Sequence, residues 1–204
     1  IYAFISSEDK NFFNHFGIDI FAILRASFTN ILNKFYNKRM IGASTITQQV
    51  VKNLLLTNEV SLERKFKEIL LALRIENILT KNQIMELYLN DIYLGYGSYG
   101  IASASLNYFN KSLEELNIEE IAFLAALPKA PNNYNPKKKY KNAINRRNWV
   151  LKQMYKNNYI DKSQLNAMKK PIIVIERFEN RFQEANYFKE EVRKRLNRLL
   201  GNDA

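Results

Sequence analysis

The sequence predicts an all-α fold. Six glycines and four prolines in 204 residues leave long stretches free to be helical. Apolar residues recur at a 3.6-residue period, while strand-like alternation is scarce. At 47% hydrophobic and 25% charged residues, the chain can bury the core of one domain with an extension and does not resemble a disordered segment.

The elements follow from spacing. Asp19 to Asn37 places Phe21, Leu24, Phe28, Ile31 or Leu32, and Phe35 on one stripe of an amphipathic helix. Ser61 to Leu79 repeats the pattern through Leu62, Phe66, Ile69 or Leu70, and Leu73, and Lys81 to Leu94 through Ile84, Leu87 or Tyr88, and Leu89. Asn117 with Glu120 three residues on is a capping pair opening a buried helix that ends before Pro128, and Asp161 with Gln164 marks another start. Gly95, Gly97 and Gly100 fall in a tight connection that needs positive φ rather than in a phosphate cradle. The run Ile172 to Ile175 is the one strand-like stretch; periodicity is lost from Pro171 to Glu184 and resumes as a charged amphipathic pattern from Tyr187 to Leu200.

Cysteine is absent, which removes disulfides, thiolate metal sites and cysteine nucleophiles together. With a single histidine, His15, a Ser-His-Asp or two-histidine metal site is excluded without a partner chain; His15 reads as a structural hydrogen-bonding residue. No apolar run approaches the ~18 residues of a membrane span, and the start at Ile1, without a signal peptide, reads as a cut inside a longer protein. The net charge of +11 is concentrated: Ile121 to Ile160 carries nine Lys and Arg and no acid, so an anionic neighbour is expected. Nucleic acid, anionic lipid and pyrophosphate would each satisfy it, as would plain solvent around a basic face.

Acid–base chemistry must then fall to carboxylates in unusual environments. Glu8 and Asp9 precede Phe12, Phe13 and Phe16, aromatic neighbours that would exclude water and raise a carboxylate's pKa; the alternative is a helix start capped by Ser6. Glu68 shares a helix face with Arg64 and Lys65 on its polar side and Leu71, Ala72 and Ile75 on its apolar side, suited to a pyrophosphate sharing those cations, or else an exposed ion pair. Between them, Ser44, Gln48 and Lys52 form a polar helical ridge, with Ser44 and Thr45 near its N-terminus, a donor set suited to phosphate and sugar oxygens.

Taken in order, EDKNFFNHFGID, GASTITQQVVKN, RKFKEILLALRIE, KNQIMELYLNDIYLGYGSYGI, LAALPKAPNNYNP and NAINRRNWVL closely resemble the peptidoglycan glycosyltransferases, the lysozyme-like domains of class A penicillin-binding proteins and monofunctional transglycosylases. The resemblance covers about Phe4 to Asp161. It implies an all-α, lysozyme-like, two-lobed helical glycosyltransferase domain over 1–168, with a short extended connector over 169–204 toward a C-terminal, transpeptidase, domain. It implies Glu8 as the general base on the acceptor 4-hydroxyl and Glu68 as the acid that stabilises departing pyrophosphate, directly or through a cation. Arg25, Ser44, Thr45, Gln48, Gln49, Lys52, Asn53, Arg64, Lys65 and Lys67 are the implied substrate contacts; Asp9, Phe12, His15 and Asn90 belong to the motifs without an assigned role.

The implied partners are lipid II, the growing lipid-linked glycan, a membrane surface and other cell-wall synthesis proteins, with no nucleic acid. No cofactor is required and no metal ligand is implied, though a divalent cation such as Mg²⁺ fits the leaving-group chemistry. The implied location is the outer, periplasmic side of the cytoplasmic membrane, where the Phe21 to Phe35 stripe and Lys34, Lys38 and Arg39 would meet lipid; the alternative is a core helix with a basic turn. Two departures stand out: Val60 where the family usually has arginine, and Ala43 in GAST where GGST is commoner. A lytic lysozyme-like enzyme and a basic nucleic-acid-binding module, the latter suggested by Tyr140, Trp149 and Tyr155 within the basic run, are the competing readings. The SEDK run at Ser7 to Lys10 fits the acyltransferase pattern S-x-x-K but lacks a K-T-G partner and is read as coincidence.

Overall fold

A computed structural model describes residues 1–36, 40–57, 59, 61–174 and 185–200. The described residues form nine α-helices: α1 (Tyr2–Glu8), α2 (Ile20–Phe35), α3 (Ile46–Leu55), α4 (Leu62–Ile78), α5 (Lys81–Asp91), α6 (Ile101–Phe109), α7 (Ile118–Leu124), α8 (Tyr140–Lys156) and α9 (Ala185–Leu200). Short 3₁₀ turns cover Phe12–Asn14, Pro131–Asn133 and Gln164–Lys169, and among the described residues only two isolated bridges, Phe16 to Ile18 and Tyr93 to Tyr99, pair extended backbone.

Caps fix where the helices begin. Thr45, Thr80 and Asn117 each form a reciprocal box with Gln48, Gln83 and Glu120 at the third helical position, satisfying donors that a helix end leaves open. Asp161 and Gln164 make the same reciprocal pair, but the turn they open is 3₁₀ and not α.

One core gathers these elements. α3 packs against α4 and α5, and α1 lies between α7 and α8, with its Ala3, Phe4, Ile5 and Ser6 buried. Ser7 Oγ donates to Ala125 O at 2.9 Å and Asn157 donates to Ser6 Oγ at 3.2 Å, so α1 is tied to both neighbours. Two close backbone approaches require glycine. A Cβ on Gly17 would lie 2.7 Å from Ala72 O on α4, and one on Gly100 would lie 2.5 Å from Asn90 O, both at positive φ. Gly95 and Gly97 also have positive φ, as a tight connection demands.

Three readings change here, one of them the core-helix alternative for the α2 stripe. Ile172 to Val174 form no strand: Ile172 and Val174 pack toward the core and Ile173 is exposed, so the alternation serves an extended segment lying on the domain without a ladder partner. The Asp19 to Asn37 stripe is no core helix, because α2 buries none of its residues and leaves Phe21 82% and Phe28 67% exposed. The expected connector does not simply trail away, since α9 packs on α3 and α4 with Leu196 buried. Lys38, Arg39, Val60 and Ile175 lie outside the described residues.

Candidate active site

The carboxylates of the first segment are set at a helix end, not a helix start. α1 finishes at Glu8, and Asp9 receives the Ile46 N–H of α3 at 3.0 Å together with His15 Nε2 at 2.9 Å. An acid on the first N–H of α3 satisfies an open donor and faces the positive end of the helix dipole. His15 therefore orients Asp9, the structural role expected of it.

Glu8 stands at the rim of a cleft of about 420 Å³ lined by the C-terminal end of α1, α2, the 41–45 segment and α8 through Glu8, Asp9, Arg25, Ser44, Thr45, Trp149 and Gln153 among others. Its side chain is 13% exposed. Gln49 Nε2 donates to Glu8 Oε2 at 3.2 Å, and Arg146 Nη2 lies 3.9 Å from Oε1. Burial raises the Glu8 pKa above the ordinary carboxylate value, opposed by the Gln49 hydrogen bond and by the charges of Arg146 and Lys129. The water exclusion has a different source from the one expected: Phe13 and Phe16 are about half exposed, and Phe12 is fully buried in the core. Packing of α1 against α8 and α7, with Gln49 of α3 over the carboxyl, does the work assigned to the aromatic run.

The far wall is held by side-chain ties. Asp19 caps α2 through the Ala22 N–H at 2.8 Å and accepts from Asn11 at 2.8 Å. Asn30 bonds both the N–H and the C=O of Ile41, at 2.7 and 2.9 Å, which fixes the segment leading to Ser44 along α2. Arg25, between these ties, faces the cleft.

Glu68 is not an exposed ion pair. It is 2% exposed and bonds Lys65 one turn earlier on α4, and the same ammonium donates to Ser44 Oγ at 3.1 Å. Ser44 lines the cleft, so Glu68 stands one layer behind its wall and holds a cation there.

Other expected contacts separate. Gln48 is 1% exposed, absent from the cleft lining, and its Oε1 closes the Thr45 capping box; the ridge through Ser44, Gln48 and Lys52 does not form because Ser44 precedes the helix. Thr45 lines the cleft, yet its hydroxyl donates to Gly17 O at 2.6 Å and accepts the Gln48 N–H at 3.1 Å. Lys52 is exposed and Asn53 half-buried, one turn beyond Gln49 on the same face of α3 and outside the cleft lining. Arg64, Lys65 and Lys67 also lie outside the lining, Lys65 reaching it only through its bond to Ser44 and Lys67 pairing with Glu63 at 3.1 Å. Asn90 is exposed, its carbonyl packed on Gly100. Sequence reasoning missed Arg146, Trp149, Gln153 and Lys10 as neighbours of this site; the basic run flagged Arg146 and Trp149 for a different partner, and nothing in local spacing joins α8 to Glu8.

Among the described residues, no group of three or more His, Asp or Glu lies close enough to hold a metal ion.

A family model described as Transglycosylase matches residues 1–155. Penicillin-binding protein 1A of Rickettsia prowazekii (strain Madrid E) is 52% identical over 203 residues, covering 99% of this chain and 26% of that protein. Penicillin-binding protein 1A of Aquifex aeolicus (strain VF5) is 50% identical over 194 residues, covering 95% of this chain and 26% of that protein. A 2.6 Å crystal structure of penicillin-binding protein 1A from Haemophilus influenzae shares 36% identity, covers 78% of this chain and 20% of its own, and has a TM-score of 0.47. The chain thus spans about a quarter of the length of the curated relatives it matches. With a family match over three quarters of its length and relatives half identical across nearly all of it, this chain belongs to the transglycosylase family.

Proposed function

We propose that this chain polymerises lipid II, joining it to the growing lipid-linked glycan through a β-1,4 bond with inversion and release of undecaprenyl pyrophosphate. Family membership establishes a glycosyltransferase. The substrate and the roles of single residues are our reading, and the observation that carries it is Glu8: a desolvated carboxylate with a raised pKa, bonded by Gln49, opening on a cleft that Arg25 also lines.

In this reading, Glu8 takes the proton of the acceptor 4-hydroxyl as the oxygen attacks the anomeric carbon. The bond from that carbon to the pyrophosphate oxygen breaks on the opposite face, and its electron pair leaves on the diphosphate. A carboxylate whose pKa is raised toward neutrality is a better proton acceptor for this step than one in water. Cations must meet the leaving charge, and Arg25 with Lys65 on Ser44 supplies them. Glu68 acts through Lys65, by fixing its ammonium. A divalent cation such as Mg²⁺ would arrive with the diphosphate, since the described acids form no cage for one.

The exposed apolar face of α2, with Lys34 in its last turn, suits the surface of the membrane that holds such substrates, on its outer side. None of the described helices is long and apolar enough to cross a membrane. Residues 1–168 are then the catalytic domain and 169–204 the link toward a transpeptidase domain, and other cell-wall synthesis proteins are its partners. The test is polymerisation of lipid II by the intact protein in detergent: the wild type should form polymer and release undecaprenyl pyrophosphate, and Glu8→Gln should form none while melting no lower than the wild type. Polymer from Glu8→Gln would remove that residue from the base role.

A further inference from the structure

The adjacent arginines of α8 face different surroundings. Arg147 is fully buried, donating to Met168 O at 3.0 Å and to Asn148 at 3.0 Å, which ties α8 to the 3₁₀ turn of Gln164–Lys169. Arg146, rotated about 100° around the helix, faces Glu8. Its side chain is 10% exposed, its Nη2 lies 3.9 Å from Glu8 Oε1, and its guanidinium carbon stands 3.9 Å from the centre of the Trp149 ring. Its Nε is buried with no hydrogen-bond partner among the described residues, so packing on Trp149, not a bond network, holds it.

We infer that Arg146, pinned by Trp149, is a positioning residue for Glu8: its charge keeps the carboxyl ionised and turned so that Gln49 holds one oxygen while the other stays free for a proton. The inference rests on the base role of Glu8 proposed above. At 3.9 Å the guanidinium is too far for a hydrogen bond, so the coupling is Coulombic and acts through space in a partly desolvated cleft. The groups facing Glu8 are Asp9 on its own helix, Gln49 on α3, Tyr88 on α5, Lys129 after α7 and Arg146 on α8. Asp9 would push the carboxyl toward its neutral form, although its own charge is taken up by His15 and the Ile46 N–H. Arg146 itself does not line the cleft, whereas Trp149 and Gln153, one and two turns on, do. It is therefore placed to act on the base and not on substrate.

The test is the pH profile of polymerisation by the intact protein in detergent with lipid II, for wild type, Arg146→Lys, Arg146→Met and Trp149→Leu, together with ¹³C NMR titration of the Glu8 carboxyl in each protein without substrate. Removing an opposite charge this close raises a carboxylate pKa by about one unit or more. Arg146→Met should move the acidic limb and the Glu8 titration upward by that amount, with rates about tenfold lower below the limb and a smaller loss on the alkaline plateau. Arg146→Lys should restore most of the shift, and Trp149→Leu should produce a smaller one in the same direction. An unmoved limb and titration, with rates lowered equally at every pH, would make Arg146 merely structural. If the wild type forms no polymer, the substrate reading fails instead, and the Glu8 titration still decides whether Arg146 controls that carboxyl.

Discussion

Gln49 on α3 donates to the carboxyl of Glu8 at the end of α1, 3.2 Å away and 41 positions earlier in sequence. One hydrogen bond cannot offset the burial of that carboxylate, and the Glu8 pKa stays raised. The sign of the linkage follows. In the folded state Glu8 holds its proton to higher pH than in the unfolded chain, so stability falls as pH rises from the unfolded value through the folded one. Glu8→Gln carries no such penalty. Melting temperatures of the two proteins should therefore diverge as the pH rises above the ordinary carboxylate value of 4.5, with the variant gaining on the wild type; parallel curves would mean the carboxyl is not desolvated.

Asp9 holds two parts of the chain at once, His15 and the first N–H of α3. Asp9→Ala would leave both donors without a buried acceptor, at a cost of about 2–4 kcal/mol. Urea unfolding should show a lower midpoint by that amount, with activity per folded molecule also reduced because Ser44 and Thr45 lead into the same helix.

Lys65 and Glu68 separate folding from turnover. Lys65→Met strands a buried carboxylate and removes the cation bonded to Ser44 of the cleft wall, so both stability and polymerisation should fall. Adding Glu68→Leu removes the stranded charge. The double variant should recover most of the lost melting temperature and none of the lost turnover, which we expect to be on the order of 100-fold. Recovery of both would make the pair purely structural.

The α2 face predicts a surface effect without a folding effect. Phe21 and Phe28 are 82% and 67% exposed, so changing both to Ser should leave the melting temperature within about 1 °C. Flotation with vesicles containing anionic lipid should show several-fold weaker binding. A large drop in melting temperature would mean that this face packs on protein.

The elements that local chemistry specifies were legible in the sequence. The Asn117 and Glu120 box, the α2 and α5 stripes and the positive-φ glycines follow from neighbours within a few positions, where capping and period act directly, whereas α4 forms as a helix but buries Leu71, Ala72 and Ile75 and leaves Leu62 and Phe66 of the expected stripe exposed. The ordered motifs likewise carried the family, and with it Glu8 and Glu68 as the acids to watch.

Tertiary structure decided what those residues face. Gln48 had the spacing of a substrate ligand and became a cap, because Thr45 at the helix start claimed its side chain first. Phe13 and Phe16 stand half exposed, and α8 took over the desolvation of Glu8 from more than a hundred residues away. Periodicity tells which residues share a face of one helix; which other element covers that face depends on long-range packing, and the electrostatics of a buried carboxylate depend on that cover.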